Sequence, residues 1–111
     1  VRSTPLTQAE IEAEIIRLLG MLESETENFE GLVQRYAECE ATFKGGWARH
    51  YLQASGAIRQ REAEADDAMT DELYQYRLTE GLVKAKRERL LSLRMSIDAL
   101  RTLNANVRVQ V

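Results

Sequence analysis

Cys39 and His50 are the only cysteine and histidine in the chain, so nucleophilic or metal chemistry would have to start from them. A cysteine nucleophile needs a neighbour that stabilises its thiolate. Cys39 instead falls on an apolar stripe, where a small buried residue is the expected role. His50 stands one residue before Tyr51 of the same stripe and has no nearby Ser or Cys to activate. One cysteine allows neither an internal disulfide nor a cysteine-based zinc cluster. Paired carboxylates at helical spacing are plentiful, but a di-metal bundle site also needs Glu-x-x-His, which this chain lacks. Gly45-Gly46 follows a lysine and precedes no Ser or Thr, the reverse of a phosphate-binding loop. The reading is that the chain is not an enzyme, with no catalytic, cofactor-binding or metal-ligating residue.

The basic stretch has a different chemistry. Between residues 84 and 101, Lys84, Lys86, Arg87, Arg89, Arg94 and Arg101 face only Glu88 and Asp98. Lys84, Arg87, Arg89, Arg94 and Arg101 are the candidates for contacting nucleic-acid phosphates. No aromatic residue interleaves with them, so base stacking is not indicated. Glu23, Glu25, Glu27 and Glu30 offer a competing use, as intramolecular partners that fix helix register. A second run, Glu62, Glu64, Asp66, Asp67, Asp71 and Glu72, reads as a solvated helix start that complements the helix dipole.

These residues must be positioned by helices. The 111 residues hold 18 acidic and 15 basic side chains, a net charge of −3, one proline and six glycines. That is room for one domain and excludes collagen-like, Pro/Gly-rich and disulfide-rich classes. Thr7-Gln8-Ala9-Glu10 has the form of a capping box, with Pro5 just before it. From there Ile11, Ile15, Leu18, Leu22, Glu25, Phe29, Leu32, Tyr36, Cys39 and Phe43 keep a heptad spacing. Trp47 and Tyr51 then follow in steps of four, a stutter at Gly45-Gly46. Gly56 suits the left-handed position that ends a helix. Beyond it Ile58, Ala65, Met69, Tyr76, Val83, Leu90, Leu93, Ile97 and Leu100 form a second stripe, with Glu72, Thr79 and Lys86 as its polar members.

The predicted fold is all-α: a long, coiled-coil-like antiparallel two-helix hairpin. Its helical part spans 7–106, with helix 1 over about 7–54, a turn at 55–57 and helix 2 over about 58–104, closed by Asn104 and Asn106. Residues 1–6 and 107–111 are expected to be flexible tails. Folding back at Ser55-Gly56 sets Phe43 against Met69, Tyr36 against Tyr76, Leu18 against Leu93, and Glu25 against Lys86 or Arg87. A hairpin of two helices encloses little core, so dimerisation into a four-helix bundle is expected. Leu19, Val33, Leu78, Leu82, Leu91, Met95 and Leu103 lie off the seam. Leu82, Leu91, Met95 and Leu103, together with Arg94, Arg101 and Arg108, make the expected partner-binding surface, because apolar residues beside cations suit protein partners.

Residues 36–109 also resemble a group of small helical proteins encoded by tailed phages of Gram-positive hosts, often near replication and recombination genes. The features carrying the likeness are Tyr36-Ala37-Glu38, Phe43-Lys44, Ala48, Tyr51-Leu52, Gly56, Arg61-Glu62-Ala63, Tyr76, Lys84-Ala85 and the ending from Leu100 to Arg108. Ala57 stands where that group has a Ser. The resemblance implies a phage or prophage protein in the host cytoplasm and implies no activity. A cytoplasmic site also fits the free cysteine and residues 1–10, which lack the apolar region of a secretory signal. No apolar run is long enough for a membrane span. The expected function is a non-enzymatic interaction protein. It would bind itself and a host or phage protein, modulating DNA replication, recombination or host defence. One alternative is a nucleic-acid-binding accessory protein; another is a virion or assembly component.

Overall fold

A computed structural model describes residues 6–110. Its elements are α1 (Gln8–Gln53), α2 (Ile58–Ala68) and α3 (Thr70–Gln110), and no strand occurs among the described residues. Thr7 caps α1: its Oγ1 accepts from the Glu10 N–H at 3.2 Å. Pro5 and most of the expected N-terminal tail lie outside the described residues. Gly45 and Gly46 stay inside α1, which runs unbroken for 46 residues. Gly56 takes φ +105°, a conformation open to glycine at little cost, and turns the chain.

Two expectations for the second half need correcting. It is two helices, not one, because Met69 leaves helical geometry with φ −112° and ψ 22°. Thr70 Oγ1 donates to the Asp66 and Asp67 carbonyls at 3.0 and 3.1 Å, competing with the backbone ladder at that turn. The second correction is at the C-terminus. The helix does not close at Asn104 or Asn106, and residues 107–110 are helical rather than a loose tail. Near that end Arg108 reaches across to Glu12 on α1, at 3.3 Å.

Contacts divide the chain into two units, residues 1–28 with 86–111, and residues 29–85. In the first unit, the start of α1 lies antiparallel to the end of α3. Leu18, Leu93 and Ile97 form its buried cluster, with Met21, Leu22 and Leu100 packed around it. Ile11 is fully buried. Glu25 is clasped by Lys86 and by Arg89, whose Nε lies 3.3 Å from the carboxylate. Lys86 was an expected partner; Arg89 takes the place expected for Arg87, while Glu23, Glu27 and Glu30 are exposed.

In the second unit, Ala65, Met69, Tyr76, Thr79 and Val83 are buried. Tyr36 and Tyr76 stack with ring centroids 5.8 Å apart, as the expected register requires. Phe43 also stacks on Tyr76, at 5.7 Å. Met69 sits about one turn further along α1, against Gly46, where an added Cβ would lie 2.9 Å from its Sδ. The stutter in α1 and the break after α2 are therefore one packing event. The missing side chain at Gly46 leaves the space that Met69 fills. Ile58, expected on the stripe, is exposed.

Two reciprocal hydrogen bonds flank the stacked rings. Tyr36 Oη donates to Glu80 at 3.3 Å, and Tyr76 Oη donates to Glu40 at 3.0 Å. Each helix thus contributes the same Tyr-x-x-x-Glu pair. Burial, with the nearby tyrosine and carboxylates, raises the Tyr36 phenol above its usual range. The hydrogen bond to Glu40 is the main cause of the same shift at Tyr76. Near the turn, Trp47 Nε1 donates to Asp66 at 2.8 Å.

Candidate functional site

The residues that first suggested catalysis are not brought together. Cys39 is half-buried and free, and it borders a shallow cleft of about 230 Å3 with Thr42, Asp71, Glu72 and Gln75. His50 is exposed on the last turn of α1. Among the described residues, no group of three His, Cys, Asp or Glu side chains could hold a metal ion. No described helix is long and apolar enough to cross a membrane.

The residues expected to bind a partner are all exposed. Leu82 belongs to the second unit. The other six lie on α3 in the first unit, where helical geometry sorts them by face. Leu91 and Met95, one turn apart, point outward and are 56% and 63% exposed. Between them and the small residues Ser92, Ser96 and Ala99 runs a shallow depression of about 560 Å3, with Glu88 at one end. Leu103 is nine residues from Arg94, which at about 100° per residue places them on opposite flanks of the helix.

Arg94 and Arg101 border a second groove, of about 250 Å3, between α3 and α1. Its apolar lining is Leu19, Leu22 and Ile97, and Asp98 stands beside the two arginines. Leu19 was expected off the seam and is 39% exposed, so it forms a wall rather than a floor. Arg101 lies 3.9 Å from Asp98, a marginal and exposed contact. Arg108 pairs with Glu12 at 3.3 Å. Hydrogen bonds from Gln8 first, and then from Arg108, hold the Glu12 carboxyl below the usual carboxylate range.

The five residues considered for nucleic acid divide in the same way. Arg89 is used inside the molecule, on Glu25. The hydrogen bond from Lys86 is the main reason the Glu25 carboxyl is held below its usual range, and Arg89 adds to it. Lys84, Arg87 and Arg94 make no ion pair among the described residues.

One feature of the site escapes a residue-by-residue reading. Arg87, Arg94, Arg101 and Arg108 recur at intervals of seven. A seven-residue step nearly returns to the same face of a helix, so the four lie on one flank of α3, about 10.5 Å apart along its axis. On α1, Glu12 and Leu19 keep the same interval, opposite Arg108 and beside Arg101. The signal was present in the sequence as a charged heptad running alongside the apolar one. Compared with known proteins, the chain matches no family model, no curated protein and no solved structure.

Proposed function

We propose that this chain is a non-enzymatic helical interaction protein of a phage or prophage. It associates with itself through coiled-coil packing into a four-helix bundle, and it binds a host or phage protein in the host cytoplasm. The effect of that binding would fall on DNA replication, recombination or host defence, as the resemblance of residues 36–109 to small phage proteins implies. The observation that carries this reading is the outward face of Leu91 and Met95, two large apolar side chains more than half exposed on one side of α3. The buried cluster beneath them holds only Leu18, Leu93 and Ile97. Covering the outward face with another helix removes apolar surface from water and adds the layer that a two-helix unit lacks.

The test is Leu91→Glu with Met95→Glu, followed by sedimentation and by affinity purification from the host cell. Both side chains lie outside the buried cluster, so helix content should persist. The expected outcome is a smaller oligomer and loss of co-purifying protein. An unchanged oligomer with unchanged partners would overturn the reading. Lys84, Arg87 and Arg94, with no carboxylate partner among the described residues, favour a second reading as a nucleic-acid-binding accessory protein. That reading requires a gel shift at low salt that weakens steeply as salt is added.

A further inference from the structure

We infer that the arginine flank of α3 in the first unit docks an acidic amphipathic helix from another protein. Its carboxylates would repeat every seven residues, and its apolar side chains would seat against Leu19 and Leu22. The inference deepens the proposed function and rests on it, since it names the chemistry of the protein partner.

Charge complementarity supports it. In this unit the chain shows what it does with a cation that has an acidic neighbour on the other helix: Lys86 and Arg89 both close on Glu25. Arg108 does the same with Glu12. Between these two clasps the pattern lapses. Beside Arg94 and Arg101 the α1 residues lining the groove are Leu19 and Leu22, which have no charge to offer. Arg94 is left without a carboxylate, as is Arg87 one heptad earlier, and Arg101 has only the long contact to Asp98 on its own helix. The gap is filled by an open groove in which Leu19 and Leu22 stand beside the charged Arg94, Asp98 and Arg101. Cations in register beside two uncovered leucines are the complement of a helix with one apolar seam and one acidic edge. This is how seam and flanking charges select partners in helical assemblies.

The spacing sets the occupant's pattern. Any helix lying along α3 that presents Glu or Asp at each seventh residue places a carboxylate about every 10.5 Å, in step with the arginines. Guanidinium groups are well suited to this, since they can hold a carboxylate through two parallel hydrogen bonds. A nucleic-acid backbone would satisfy the arginines but leave the exposed Leu19 and half-buried Leu22 facing phosphate and water. The groove therefore favours protein.

The probe is a synthetic peptide of four heptads, about 28 residues. It carries Leu at the first and fourth positions of each heptad and Glu at the fifth and seventh. A twin carries Lys for Glu. Fluorescence anisotropy with the whole chain should show binding of the acidic peptide, weakening as ionic strength rises from about 0.05 to 0.3 M, and none of the lysine twin. Arg94→Glu with Arg101→Glu should weaken the acidic peptide by about tenfold or more and admit the lysine twin. Both positions are exposed, and circular dichroism checks that the variant keeps its helices. Absence of acidic-peptide binding, or binding unmoved by the double variant, overturns the inference. So does a short DNA duplex that displaces the peptide and itself depends on Arg94 and Arg101. The outward face of Leu91 and Met95 is untouched here, so its oligomerisation test separates failure of this inference from failure of the broader function.

Discussion

Ala57 shows how much one side chain can decide. It occupies the N-cap of α2 with φ −68° and ψ 159°, the extended geometry of a capping residue, yet no side-chain hydrogen bond closes the helix start. A serine there could accept from an N–H of the first turn. Ala57→Ser is therefore expected to stabilise the chain by about 1 kcal/mol, read as a rise in thermal midpoint. No rise would mean that the first turn of α2 is already satisfied by water. At this scale the sequence was informative wherever a residue's role is local. Thr7 as a cap, Gly56 as the turn, Thr79 as a buried polar residue and Glu25 as the charged layer follow from type and spacing alone. Arg89 in place of Arg87 at Glu25 did not, because the choice between neighbours on one helix depends on side-chain reach.

At the scale of the element, the coupling of Gly46 and Met69 explains why the second half is two helices. Heptad spacing gives the faces of α1 and α3, and with them most of the buried residues, since a periodic apolar stripe must be covered. It cannot locate a break whose cause lies on the facing helix. Met69 fits the stripe as well as any neighbour does. What accompanies the break is on the facing helix and in the next residue: the Met69 side chain fills the space over Gly46, and the Thr70 hydroxyl bonds back to Asp66. Gly46→Val should destabilise the second unit by about 1–3 kcal/mol, because a branched side chain overfills the space that Met69 occupies. Adding Met69→Ala should recover part of the loss. Equilibrium unfolding of the two single variants and the double variant checks this. Strictly additive effects would show that the two residues do not share that space. The same limit applies to the groove: spacing marks Leu91, Met95, Arg94 and Arg101 as lying off the seam, but that Leu19 of α1 lines a groove with the two arginines depends on the facing helix.

At the scale of the whole molecule, the two units draw on different ionisations. In the first, Glu12 and Glu25 are held below their ordinary value of 4.5. The folded state thus binds fewer protons than the unfolded one. Their contribution is complete above pH 4.5 and is lost as pH falls through the lowered native values. In the second, Tyr36 and Tyr76 are raised above 10.0. Here the folded state binds more protons, so the contribution is complete below pH 10 and is lost as pH climbs through the raised native values. Thermal midpoints measured across pH should fall at both extremes. Glu25→Gln should flatten the acid limb, and Tyr36→Phe with Tyr76→Phe the alkaline limb. An alkaline limb unchanged by the tyrosine variants would show that the hydrogen bonds to Glu40 and Glu80 do not link to folding. None of this was readable from the composition, whose net charge of −3 averages over both units.

The paired tyrosines also have a mechanical meaning. Tyr36 donates from α1 to Glu80 and Tyr76 from α3 to Glu40, and the two bonds share one register offset. Sliding one helix along the other in either direction strains both at once. A shift of one heptad would set Tyr36 beside Leu73, or Phe43 beside Glu80, and neither pair can form the bond. Neither heptad-shifted register therefore keeps the two bonds. Under shear the second unit should hold like a latch and then release abruptly, rather than creep one turn at a time.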